Sequence, residues 1–195
     1  MTNHVLIKQR AIQALIIPNN FKLVTTETHR RNREEVRVER YQMTPEFSPN
    51  NAHITLVYGA DERLISYNRF YVALDQLTLP IKGVVIQIAE QVWQTVDADY
   101  ARGLHYMRTD KQQRYFIDDQ GVRQAFAVQW VKFAHDNGSY NWASIGPDGQ
   151  VIELERESRW DYFRSRRATE EWNYDDWVLA RNNQGPQLAA PEALA

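Results

Sequence analysis

Residues Ile54 to Arg69 read ITLVYGADERLISYNR, and residues Asn141 to Arg156 read NWASIGPDGQVIELER. Laid on one another without a gap, they match Gly59 with Gly146, Asp61 with Asp148, Ile65 with Ile152 and Arg69 with Arg156, and Leu64 agrees in kind with Val151. Each stretch is an apolar run, a turn containing Gly and Asp, and a second run ending in a base, which is the pattern of a β-hairpin. Gly and Asp recur in such turns for general backbone reasons, so the identities alone carry little. The order of elements ahead of each hairpin carries more.

Before the first hairpin, Val5 to Ile17 places Ile7, Ala11, Ala14 and Leu15 at helical spacing among Lys8, Gln9, Arg10 and Gln13, and Pro18 ends the pattern. Glu35 to Tyr41 then sets Val36 and Val38 against charged neighbours with the period of a half-buried strand. Before the second hairpin, Ile81 to Val96 carries Val85, Ile88, Ala89, Val92 and Val96 on one helical stripe. Leu104 to Met107, Arg114 to Ile117 and the more apolar Ala125 to Phe133 predict strands. The fold class expected is therefore α+β, with helices packed on one face of antiparallel sheet.

Two tandem α-β-β-β units are expected, at residues 1–79 and 80–158, and whether they form one domain or two stays open. A C-terminal helical segment is expected at 159–181, with Thr169 as N-cap and Arg181 near the far end. The stretch 182–195 holds Gly185, Pro186 and Pro191 without periodicity and is expected to be a flexible tail.

A helix followed by three antiparallel strands, whose last hairpin reads as an apolar strand, a Gly-x-Asp turn and a strand ending in Arg69 or Arg156, resembles the PepSY-like repeats of peptidase propeptides. Twice over, it resembles the tandem architecture of β-lactamase-inhibitor-like proteins. The resemblance spans roughly residues 5 to 156. It implies a role in binding or inhibiting other proteins, mostly outside the cytoplasm or at a membrane, and it implies no catalytic residue. The N-terminal sequence, which lacks the apolar run and cleavage site of a signal peptide, departs from that pattern and points to the cytoplasm.

Composition bounds the remaining classes. At 43% hydrophobic and 25% charged residues, the 195-residue chain is that of a soluble globular protein and not of a disordered or fibrous one. With no Cys, disulfides, thiolate zinc sites and Cys nucleophiles are excluded. No run approaches the about 18 to 20 apolar residues of a membrane-spanning helix. The net charge of −2 gives no overall attraction to nucleic acid or to an anionic membrane.

The chemistry-bearing residues are scattered. His4, His29, His53, His105 and His135 lack the close spacing of metal ligands, and no phosphate loop, nucleophile elbow or HExxH is present. No catalytic, metal or cofactor site is therefore expected. Two basic clusters remain, at His29 to Arg33 and at Arg164 to Arg167, and nearby Glu34, Glu35, Glu170 and Glu171 make them compensated faces better than nucleic-acid sites. The second cluster lies among aromatics, and Trp, Tyr and Arg carry most interface energy. Trp160, Phe163, Arg164, Arg167 and Trp172 are the candidate anchors for a protein partner, unless the aromatics simply dock the segment on the sheet. The leading expectation is a non-catalytic binding or regulatory protein, with an enzyme site in the cleft between the halves, built around His105 or His135, as its alternative and nucleic-acid binding as a second.

Overall fold

The computed structural model describes residues 15–73 and 78–195 and puts them mostly in antiparallel strands, with 45% strand against 16% helix. Strands β1 (Lys22–Arg31), β2 (Glu34–Gln42), β3 (His53–Tyr58) and β4 (Leu64–Phe70) form a first meander. Helices α1 (Lys82–Val96) and α2 (Ala98–Ala101) follow, and β5 (Leu104–Ile117), β6 (Arg123–His135), β7 (Tyr140–Ile145) and β8 (Val151–Ser158) form a second meander. All eight strands share one sheet in the order β1-β2-β3-β4-β8-β7-β6-β5, closed across the middle by the antiparallel pairing of β4 with β8. A two-stranded ribbon, β9 (Trp160–Asp161) with β10 (Arg166–Arg167), and a short helix α3 (Asp175–Arg181) complete the described chain.

This corrects the α+β expectation of tandem helix-plus-sheet units. Each half contributes four strands, because Lys22–Arg31, rich in Thr and alternating charge, pairs along the edge of β2 as a strand in its own right. Two segments read as separate strands, Leu104 to Met107 and Arg114 to Ile117, are parts of the single 14-residue β5. The helix expected over Ile81 to Val96 is α1, with Val85, Ala89, Val92, Trp93 and Val96 buried. Most of the helix expected over Val5 to Ile17 lies outside the described residues. Its last residues, Leu15 to Ile17, are not helical, yet Leu15 and Ile17 are buried in the core.

The C-terminal helical segment is corrected as well. Asp161 accepts bonds from the backbone N–H groups of Phe163 and Arg164, and Ser165 adopts a left-handed φ of 51°, so Trp160–Arg167 turns back as a ribbon where a helix was expected. Thr169 caps no helix: its hydroxyl accepts from Arg159 N–H and donates to Asn32. Only Asp175–Arg181 is helical, with Asp175 and Asp176 in its first turn and Arg181 in its last, as the helix dipole favours.

The two meanders repeat each other in register. Between β3 and β4 the pairing shifts at Val57/Tyr58, with Tyr58 opposite Leu64; between β7 and β8 it shifts at Ser144/Ile145, with Ile145 opposite Val151. Both hairpin turns close with the same pair of backbone bonds, Gly59 N–H to Arg63 O and Glu62 N–H to Gly59 O in one, Gly146 N–H to Gln150 O and Gly149 N–H to Gly146 O in the other. The edge hairpins share a bulge too, at Leu23/Thr25 opposite Tyr41/Arg40 and at Tyr106/Arg108 opposite Phe133/Lys132. At the seam, Tyr67 faces Leu154. These two residues are themselves matched in the alignment of the hairpins, so the halves meet about an approximate twofold axis.

Strand alternation divides the side chains between two layers. On one face Ile54, Leu56, Tyr67, Val131, Phe133 and Leu154 meet Val85, Ala89 and Trp93 of α1 in the main core. On the other face lie the segment after β8 and the polar groups described next.

Candidate ligand pocket

Alternation along β5, β6 and β7 brings Arg108, Trp130, Lys132, Tyr140 and Trp142 to the face opposite α1, with Arg108 beside Lys132 and Lys132 beside Trp142 in the ladder. The returning chain covers this surface only in part. Trp160 and Arg167, partners across the small ribbon, form one wall together with Glu171 and Tyr174, and Leu188, Pro191 and Glu192 form the rim. Between them lies a cavity of about 390 Å³, within the size range of small-molecule sites. The rim is fastened by Arg167 N–H to Pro191 O (2.8 Å), Ala193 N–H to Glu171 (2.9 Å) and the Arg166 guanidinium to Leu188 O (2.7 Å). The stretch 182–195, which its composition reads as a flexible tail, is thus bonded along the pocket.

Cations and aromatic rings alternate in the lining. Lys132 Nζ sits 3.8 Å from the Tyr140 ring centre and 5.6 Å from that of Trp130, the Arg108 guanidinium also lies 5.6 Å from Trp130, and that of Arg167 lies 4.7 Å from Trp142. Trp130 and Trp142 contact each other at 5.7 Å between ring centres. Arg167 is paired with Glu171 at 3.0 Å and Glu192 at 3.3 Å, and Arg108 with Asp110 at 2.7 Å. Lys132 has no carboxylate within ion-pair distance among the described residues, and burial, reinforced by Arg108 and Arg167, lowers its pKa. Burial raises the pKa of Glu171, with Glu192 adding to it against the pull of Arg167. The Trp142 indole N–H is buried without a partner among the described residues.

A polar layer supports the pocket from the middle of the sheet. Glu153 is fully buried and receives both Arg114 donors at 2.7 and 2.8 Å, the Tyr174 hydroxyl at 3.0 Å and the Ser144 hydroxyl. Burial opposes its ionisation, and Arg114 with the two hydroxyls outweighs that, so its pKa falls below the ordinary value. Glu155, equally buried, binds Arg31 at 2.9 Å and the Asn173 amide at 2.7 Å.

The first half offers its corresponding face to the chain's own C-terminal segment. Trp172 stacks on His29 at 3.8 Å between ring centres, meets Trp177 edge-on and packs beside Val36, Val38, Val57 and Ile65. Arg40 grips Asp175 at 2.6 and 2.7 Å. Burial works against ionised Asp175, and His53 with Arg40 outweighs it, holding its pKa at about 2. His53 is fully buried, donates through Nδ1 to Asn51 O at 2.6 Å, and is pushed down to about 4 by burial with Arg40 adding to it.

The five candidate anchors are not one surface. Trp160 and Arg167 line the pocket, and Trp172 is half-buried against the first half, its Nε1 donating to Arg30 O at 2.8 Å. Arg164 pairs with Asp161 at 2.9 Å and Phe163, at the ribbon's tip, is fully exposed. In the basic stretch His29 to Arg33, His29 and Arg31 are occupied within the fold, while Arg30 and Arg33 are exposed. His105 meets Asp136 at 2.8 Å, but both are exposed and neither lines the pocket, so this pair gives no support to an acid–base site in the cleft. Sequence reading missed Arg108, Trp130, Lys132 and Trp142. The available signal was the period-two placement of Trp130 and Lys132 within β6, on the face opposite Val131 and Phe133.

No family model, curated protein or solved structure matches the chain. Among the described residues no helix is long and apolar enough to cross a membrane, and no three His, Asp or Glu residues gather as a metal site would require.

Proposed function

We propose that the protein is a non-catalytic binding protein whose recognition site is the pocket between β5–β7 and the C-terminal segment. The observation that carries this reading is the asymmetry between the halves. The face of the first half is covered by Trp172, Trp177 and Asp175, while over the second half, with Asn50 and Phe70 of the first among its lining, a cavity of about 390 Å³ remains, lined by large rings and by charged groups of both signs, within the size range of small-molecule sites. A screen of small molecules by thermal shift tests it. Molecules that bind here raise the melting temperature of the native protein and lose most of that effect in Trp130→Ala. Stabilisation that is equal in the two proteins contradicts the reading.

A second reading concerns the ribbon. Phe163 is fully exposed and Tyr162 is 72% exposed, beside the pocket wall formed by Trp160 and Arg167, and exposed rings at a turn suit a protein partner. Phe163→Ser leaves small-molecule binding intact and, on this reading, abolishes capture of such a partner. Capture that survives the substitution removes it.

A further inference from the structure

We infer that the pocket's ligand is an organic anion with a flat aromatic body, its charged group seated on Lys132 beside Arg108 and its rings against Trp130. The inference rests on the pocket reading above and adds to it the chemistry of the occupant.

The approximate twofold relation supplies the reason. Arg40 and Lys132 are counterparts: Arg40 lies between Thr25 and Thr55 in its half, Lys132 between Arg108 and Trp142 in the other, each directly after the bulge shared by the edge hairpins. In the first half the protein supplies its own occupant. A carboxylate, Asp175, lands on Arg40 through two bonds, and an indole, Trp172, covers the neighbouring Val36 and Val38 with Trp177 edge-on behind it. In the second half the counterpart cation has rings around it and no carboxylate within reach among the described residues. Lys132 is half-buried, and a cation partly withdrawn from water without an anion is disfavoured, which any ligand that brings an anion relieves. The counterpart of Val38 is Trp130, a larger and flatter surface, and the unpartnered Trp142 Nε1 offers a donor to a polar atom of the ligand. Arg108 adds a second charge toward the same anion, and Asp110, its partner, keeps it on the strand edge. What the C-terminal segment does for one half, a small aromatic acid does for the other.

Two dyes that share one aromatic body separate the alternatives: 1-anilinonaphthalene-8-sulfonate carries an anion, and N-phenyl-1-naphthylamine lacks it. Both are titrated by fluorescence into the full-length protein and into Lys132→Met, Arg108→Gln and Trp130→Ala, each first checked for a native melting transition. The expected result is that the sulfonate binds about tenfold or more tightly than the neutral dye, the range of a charge-assisted bond. The preference weakens with salt and is lost in Lys132→Met. If Lys132→Met does not fold, Arg108→Gln, altered at a largely exposed side chain, reads the same preference. Equal binding of the two dyes, with both weakened in Trp130→Ala, overturns the anion assignment and leaves the pocket reading standing. No binding, or binding indifferent to Trp130→Ala, overturns both.

Discussion

Arg40 of β2 holds Asp175 of α3 through its two terminal guanidinium nitrogens, at 2.6 and 2.7 Å, with both side chains buried. The pair fastens the segment that walls the pocket to the first half of the sheet. Removing one partner of a buried pair leaves the other charge without compensation, at a cost of about 3 to 5 kcal/mol. Asp175→Asn is expected to lose that much in urea unfolding. A loss within about 0.5 kcal/mol, the range of ordinary surface changes, would mean that the segment is held by its apolar contacts alone.

His53 gives the fold a pH dependence with a definite sign. Its pKa is about 4 in the folded protein against 6.5 for the free side chain, so between those values the unfolded chain binds a proton that the folded protein refuses. This contribution of His53 is complete above pH 6.5 and falls as the pH drops toward 4, by on the order of 3 kcal/mol for a shift of this size. Asp175, lowered from 3.8 to about 2, adds a second loss as the pH falls below about 4. Between pH 7.5 and 4.5, urea titrations are expected to show a larger loss of stability in the native protein than in His53→Asn, which keeps a donor for Asn51, while the opposite-signed contribution of Glu171, whose pKa is raised, is common to both. Equal pH dependence in the two would remove His53 from the account.

Gly146 opens the second hairpin turn with its Cα close against Ile152. A Cβ there meets Ile152 Cγ1 at 2.6 Å, and Ile152 is fully buried. Gly146→Ala therefore forces the core to move, which costs about 1 to 3 kcal/mol. Gly83, near the start of α1, has open space about it, and Gly83→Ala is expected to be neutral or to stabilise by up to about 1 kcal/mol through helix propensity. Thermal melts of the two variants check the contrast, and a reversed order would contradict the packing described.

Much of the sheet was readable because period-two patterns are local. The alternation of Val36 and Val38 and the two Gly-Asp turns place β2, β3, β4, β7 and β8 directly, and the apolar stripe from Val85 to Val96 places α1. The architecture was misread where a strand's character depends on its neighbours. Lys22–Arg31 has too few apolar residues to announce an edge strand, and its membership in the sheet comes from the ladder with β2. The C-terminal segment was misread for a similar reason. The caps expected at Thr169 and Arg181 are local signals, and the Asp161 turn decides the path of Trp160–Arg167 through bonds to two backbone N–H groups. Glu153 and Glu155 alternate with apolar residues as solvent-facing carboxylates do. They are buried only because Arg31, Arg114 and Asn173 arrive from distant parts of the chain, and no local pattern carries that. The pocket was hidden in the same way, since its lining is drawn from β4 to β8 and from residues 160 to 192.

The six tryptophans divide into reporters for the pocket and controls for the rest of the fold. Trp130, Trp142 and Trp160 line the cavity, Trp93 of α1 lies in the main core, and Trp172 and Trp177 pack on the first half. The most direct test is a titration of 15N-labelled protein with 1-anilinonaphthalene-8-sulfonate, following the indole N–H signals. The account predicts that the signals of Trp130, Trp142 and Trp160 shift together along one saturating curve while those of Trp93 and Trp177 stay in place. Shifts centred on Trp172 and Trp177, or spread evenly over all six, would contradict it.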